Sequence, residues 1–143
     1  MLIGEHTYSV GGKRRVALPK SFREEIGNKV IVARGYEGCL IVVSPQQWEK
    51  LLNEAASGPF VSESVRDTSR FLLGSAAEVE LDKQGRFVIP QHLFDYAEIG
   101  EEICFLGLGR WVEIWDRKRW QERKDYLSEE AGEIAEKLAG LEV

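Results

Sequence analysis

Two stretches of the chain carry the same pattern of apolar and polar positions. In VGGKRRVALP (10–19) and LDKQGRFVIP (81–90), a polar, basic centre is framed by apolar residues at matching places. Val10 matches Leu81, Val16 matches Phe87, Ala17 matches Val88 and Leu18 matches Ile89, while Arg15/Arg86 and Pro19/Pro90 are identical. A polar bend between short apolar runs predicts a hairpin turn leading into a strand. The likeness continues downstream. KSFREEIG after Pro19 and QHLFDYAEIG after Pro90 predict short helices, because proline suits a first helical turn and Gly27 and Gly100 suit the C-terminal caps. Apolar runs follow in both copies, KVIVAR (29–34) and EICFLG (102–107). Each leads through a turn, GYEG (35–38) or LGRW (108–111), to a second run, CLIVV (39–43) or VEIW (112–115). Runs of this length read as strands. Ser44 and Asp116 then stand as N-caps for PQQWEKLLNEAA and RKRWQERKDYL, with Trp48 and Trp120 four residues further on.

The chain therefore reads as one unit written twice, with a period of about 72 residues. The order in each is strand, basic turn, strand, short helix, strand, turn, strand, helix. The expected division is a first unit over 1–56, a helical connector over 57–76, a second unit over 77–123 and an acidic C-terminal helix over 124–143. In the connector, Ser62 or Ser64 can cap a helix that Gly74 stops, with Arg66 and Arg70 on one face. In the tail, Ile134, Leu138 and Leu141 form an apolar stripe for docking on the body or on a neighbour. Units of this size are marginal alone, so the two are expected to close on each other around a shared core. The fold class is α+β and β-rich.

Composition changes this picture little, and charge changes it more. Charged residues at 30% and hydrophobic residues at 43% are ordinary for a globular domain. No run predicts a signal peptide or a membrane span. Cys39 and Cys104 each lie in an apolar run and read as buried free thiols, while His6 and His92 lack partners at metal-ligand spacing. The net charge of −5 argues against a nucleic-acid partner, but its distribution does not. Residues 1–50 carry +3, 51–81 carry −3, 82–123 carry −1 and 124–143 carry −4. A partner responds to the local field rather than to the total.

The repeated turn carries the candidate chemistry. Asp82 can bond the backbone two residues on and Gly85 accepts a positive φ, so a tight bend should present Lys83 and Arg86. The first copy should present Lys13, Arg14 and Arg15 at the same bend. A two-stranded ribbon with cationic tips fits a DNA groove, and arginine contacts phosphates or pairs with guanine. Two other readings stand beside it. The turns could be plain surface hairpins, or Arg15 and Arg86 could be internal ties, with Asp82 a candidate partner of Arg15 across the pseudo-dyad. The four tryptophans read as core or interface residues. Gly74-Ser75 reads as a helix cap and a loop serine rather than a self-cleaving pair. No nucleophile–base constellation, phosphate loop or metal cluster is recognised, so neither an enzyme nor a cofactor is expected.

The turn pattern, the apolar strand, the proline and the short F-R-E helix resemble the MraZ family, whose halves are similar to the AbrB/SpoVT domain. The GEHT start, the RFLLGSAAEVELDKQGRFVIP junction and WVEIWDRKRW extend the likeness over nearly the whole chain. The resemblance implies a pseudo-two-fold pair of swapped-hairpin half-barrels forming one barrel core, with connecting and C-terminal helices. It implies a cytoplasmic, nucleoid-associated regulator, mainly a repressor, that binds direct repeats of double-stranded DNA upstream of the division and cell-wall gene cluster. It also implies a ring-shaped homo-oligomer, with an octamer the expected size. The family's motif arginine falls on Arg15 and Arg86, and its lysine on Lys13 in the first copy. In the second copy that place holds Gln84, with Lys83 beside it. The first copy departs from the pattern, with Gly11 at the aspartate place and Arg14 at the glycine place. A non-glycine there costs about 1 kcal/mol if φ is positive, unless Gly11 and Gly12 move the flexible point upstream. An AbrB-like protein-binding module of the antitoxin type is the alternative function.

Overall fold

The computed structural model describes residues 1–141. The first half contains β1 (Leu2–Ser9), β2 (Arg15–Ala17), α1 (Lys20–Ile26), β3 (Lys29–Arg34), β4 (Leu40–Val43) and α2 (Pro45–Ala55). The connector helix α3 (Glu63–Leu73) follows. The second half repeats the order with β5 (Ala77–Glu80), β6 (Arg86–Val88), α4 (Gln91–Tyr96), β7 (Glu102–Gly109), β8 (Val112–Asp116) and α5 (Arg117–Gly140).

Strand pairing interleaves the halves. One antiparallel sheet runs β1-β7-β8-β4-β3-β5, and a second consists of β2 and β6. The first strand of each half thus pairs with the third strand of the other, β1 with β7 and β5 with β3. Two registers locate the pseudo-dyad. Val16 faces Phe87 in the small sheet, and Ile41 faces Glu113 where β4 meets β8. Both pairs are residues that the internal repeat equates.

The main core repeats the same symmetry. Val16, Leu18, Phe22, Val30, Val32, Leu40 and Val42 share one buried cluster with Phe87, Ile89, Leu93, Ile103, Phe105, Val112 and Ile114. Burying each large side chain contributes about 1.5–3 kcal/mol, and neither half encloses its share alone. The other face of the large sheet is covered as well. Ile31, Ala33 and Val43 pack with Trp48 and Leu72, from α2 and α3. Cys39, Cys104, Leu106 and Trp115 pack under Trp120 of α5. Coverage on both faces explains why these strands read as unbroken apolar runs rather than alternating ones.

The caps follow the expected chemistry. Ser44 accepts from the Gln47 amide, Ser62 from Val65 and Asp116 from Arg119, and Gly27 closes α1 at φ +93°. Two expectations are corrected. α4 stops at Tyr96, and the left-handed residue behind it is Glu98 at φ +51° rather than Gly100. The helix expected behind Asp116 and the C-terminal helix expected over 124–143 are one continuous α5 from Arg117 to Gly140, with residues 142 and 143 outside the described residues.

Candidate nucleic-acid interface

The two basic turns lie side by side because their return strands, β2 and β6, pair with each other. Alternation puts Val16 and Phe87 inward and leaves Arg15, Arg86 and Val88 exposed on the outer side of the ribbon. Arg15 faces Val88 and Arg86 faces Ala17, so the two arginines sit diagonally about the pseudo-dyad.

Equivalent backbone hydrogen bonds frame both turns. Leu18 N–H donates to the Gly85 carbonyl at 2.9 Å, and its equivalent Ile89 donates to the Arg14 carbonyl at 3.0 Å. Gly11 N–H donates to Arg15 O at 2.8 Å as Asp82 N–H donates to Arg86 O at 3.0 Å. Arg14 therefore occupies the conformation that glycine holds in the second copy. Its φ is +60° against +76° for Gly85, and Lys13 beside it is also left-handed at +59°. Gly11 is extended, so it does not take over the bend, and the expected upstream shift of the flexible point is corrected.

The side chains differ more than the backbones. Asp82 caps its own turn: Oδ1 accepts from the amides of Gln84 at 2.9 Å and Arg86 at 2.8 Å, and Oδ2 accepts from Arg86 Nε at 2.8 Å. The Arg86 amide, then its guanidinium and the Gln84 amide, hold this carboxyl below the usual aspartate range. The tie of Arg15 to Asp82 is thereby corrected: the carboxylate serves Arg86 of its own turn. Gly11 offers no carboxylate, and among the described residues Arg15 has no ion-pair partner. Arg14 is half-buried and its Nε donates to the Ile89 carbonyl at 2.9 Å, across the pseudo-dyad. Lys13 and Lys83 are exposed. Four of the five candidate cations thus reach the outer surface of one ribbon, and Arg14 is turned toward the other half.

One contributor was not singled out from the sequence. Arg23 of α1 lies across the second turn, with Nη1 donating to the Lys83 carbonyl at 3.4 Å. A Cβ on Gly85 would lie 2.1 Å from Arg23 Cδ, so that glycine answers both a positive φ and a close approach. The repeat places Phe94 where Arg23 stands, and that mismatch was the available signal. Elsewhere, Arg66 donates to the Phe60 carbonyl and Arg70 pairs with Asp67. Trp48 and Trp115 are buried, Trp111 and Trp120 partly so, and both cysteines are buried free thiols. No helix among the described residues is long and apolar enough to cross a membrane.

Fold and ribbon together define a protein of two tandem α+β units that exchange strands and present paired basic turns at their dyad. The chain belongs to the MraZ family. The family model described as "MraZ protein, putative antitoxin-like" matches residues 1–71 and again 72–140. The chain is 40% identical over 141 residues, 99% of both chains, to a protein of Acetivibrio thermocellus. It is 38% identical over 141 residues, again 99% of both, to one of Roseiflexus castenholzii. It is 36% identical over 143 residues, all of both chains, to one of Caldanaerobacter subterraneus subsp. tengcongensis. All three bear the name transcriptional regulator MraZ.

Proposed function

We propose that this protein is a transcriptional regulator, mainly a repressor, that binds double-stranded DNA through the β2–β6 ribbon. The observation that carries the reading is the pairing of two equivalent turns, with Arg15 and Arg86 exposed on one face and Lys13 and Lys83 at the tips. The excess acid lies in residues 51–81, at −3, and in the tail, at −4. The names of the relatives support the same reading. The operator is a set of direct repeats before the division and cell-wall genes, the two units are swapped-hairpin half-barrels of one barrel, and the protein acts on the nucleoid in the cytoplasm as a ring.

The chemistry divides between the turns. Arg86 is pre-oriented by Asp82 through Nε, and its exposed Nη groups, one of them only loosely held by Gln84 Oε1 at 3.4 Å, are available for a contact with guanine or phosphate. Arg15 carries an uncompensated charge and contributes more to non-specific attraction. Each ribbon neutralises few phosphates, and each contributes about −0.9 to the log–log salt slope. A ring that sets several ribbons on regularly spaced repeats makes the later contacts intramolecular, raising avidity by about 10² to 10⁴. The antitoxin-type alternative needs a tail that wraps a partner, whereas α5 is helical through Gly140.

Fluorescence anisotropy on direct-repeat and scrambled DNA at several salt concentrations tests the reading. Wild type should prefer the repeats. Arg86→Ala and Arg15→Ala should both lose affinity while staying folded, with Arg86→Ala losing more of the preference. Equal binding to both DNAs with no salt dependence overturns the proposal.

A further inference from the structure

The last turns of α5 carry an apolar seam that is half-buried at Leu127 and Ile134 and exposed at Leu138 and Leu141. Trp120 packs against the body and Lys124 pairs with Glu5, but the apolar clusters take no residue beyond Trp120 from this helix. Downstream, Leu127, Ala131, Ile134, Leu138 and Leu141 follow one another at spacings of four, three, four and three. Leu138 is 69% exposed and Leu141 72%. An alternating three-four spacing has the 3.5-residue period that suits a second helix, whereas a broad sheet face asks for a wider stripe at 3.6.

Charge placement selects the partner and its direction. Glu129, Glu133 and Glu136 occupy positions away from the seam, so two copies of this acidic helix can approach without setting acid against acid. The residues flanking the seam on one edge are Glu130 and Lys137, seven apart. In an antiparallel pair of identical helices, Glu130 of each copy meets Lys137 of the other, and Leu138 layers on Leu127 while Ala131 layers on Ile134. In a parallel pair, Glu130 would meet Ala135 and the charges would go unused. The main competing acceptor is an apolar cavity of about 260 Å³ walled by Trp48, Leu51, Leu72 and Trp111. Its charged rim residue is Glu54, which already pairs with Arg110 and offers an acidic helix no attraction.

We propose that the C-terminal seam of α5 pairs antiparallel with the seam of a second copy of this chain, flanked by two Glu130–Lys137 ion pairs. The contact is isologous and closes after two copies, so it couples copies or assemblies in pairs and does not by itself build a ring. It does not depend on DNA binding by the turns. The seam spans only about four helical turns, so the association is weak and depends on concentration.

The experiment is mass measurement by light scattering and sedimentation on the full chain across a wide concentration range. Wild type should show a two-fold step in mass as concentration rises. Leu138→Lys should abolish the step with helicity intact, since Leu138 is exposed and a lysine suits a helix C-terminus. Glu130→Lys alone should weaken the step, and Glu130→Lys with Lys137→Glu should restore it. No step in wild type overturns the proposal. So does a step lost in Leu138→Lys but indifferent to the charge swap, which assigns the seam to the Trp48–Trp111 cavity instead.

Discussion

Replacing Gly85 by alanine separates two costs that the second turn combines. At φ +76° a non-glycine residue loses about 1 kcal/mol. The new Cβ would also lie 2.1 Å from Arg23 Cδ and 2.4 Å from Nε, well inside contact distance. Displacing the guanidinium disrupts its bond to the Lys83 carbonyl, and overpacking of this kind costs about 1–3 kcal/mol. Gly85→Ala should therefore destabilise the protein by about 2–4 kcal/mol. In an Arg23→Ala background the obstacle is gone, and the same change should cost only about 1 kcal/mol. The double-mutant cycle thus carries a coupling of about 1–3 kcal/mol. Urea denaturation at fixed protein concentration measures it, as a shift in midpoint at constant slope. DNA titrations on the Arg23→Ala variant complete the test. If Arg23 only braces the turn, affinity falls while the salt slope stays put, whereas a direct phosphate contact lowers the slope by about 0.9. A cycle additive to within about 0.5 kcal/mol would refute the close-approach argument.

Lys13→Gly removes a left-handed lysine at φ +59° and should stabilise the fold by about 0.5–1 kcal/mol while weakening DNA binding, read by melting and anisotropy together. A loss of stability would show that Lys13 makes a compensating contact. Arg119 donates to the carbonyls of Gly38 and Ala97, both at 2.9 Å, so Arg119→Ala should cost about 2–4 kcal/mol by chemical denaturation. A change under about 1 kcal/mol would reduce this tie to a surface contact. Asp82 has a lowered folded pKa, so its contribution is fully present above the ordinary 3.8 and fades as pH falls through the lower folded value. The amide protons of Gln84 and Arg86 should titrate together with a midpoint below 3.8, and a midpoint at or above that value would show the carboxylate uncoupled from the turn. Burial raises the Cys39 thiol and takes Cys104 to about 11, so neither should react with a disulfide reagent at neutral pH until the chain unfolds. Fast labelling of the native protein would contradict that burial.

The fold was legible where local chemistry decides it. Ser44 and Asp116 cap the helices they were expected to cap, Ser62 rather than Ser64 caps α3, and Gly27 stops α1. The matched apolar positions in the repeat became matched positions in one core. The closing of the halves on each other followed from the same repeat, whereas the pairing of β2 with β6 that sets the turns side by side did not. What stayed hidden depends on distant contacts. Arg14 looks like a free cation in GGKRR, but its Nε bonds a carbonyl 75 residues away. Arg23 reads as a helix-surface residue until Gly85 lies beneath it. The end of α4 went to Glu98 because an L-residue can hold the left-handed bend when its neighbours fix it, so Gly100 was a misleading signal.

These distant contacts also explain why one chain carries two copies of one unit. Two identical halves in a symmetric dimer would have to make every contact twice. Here each brace runs once. Arg23 of the first half lies on Gly85 of the second, while the place equivalent to Arg23 holds Phe94. Arg119 of the second half lies on Gly38 of the first, where a Cβ would stand 2.2 Å from its guanidinium, while the place equivalent to Arg119 holds Gln47. The turns diverge in the same way. One keeps aspartate and glycine and so holds Arg86 in place; the other gives up both, strains Lys13 and Arg14, and gains charge. A change to Arg14 in both copies of a symmetric dimer would remove glycine from both bends and double a strain of about 1 kcal/mol. Fusion lets the strained copy lean on the relaxed one, through the paired β2–β6 ribbon and the Arg14–Ile89 bond. The duplicated hairpin thus yields two cationic tips framed by equivalent backbone hydrogen bonds, one holding its arginine with a carboxylate and the other leaving its arginine without an ion-pair partner among the described residues.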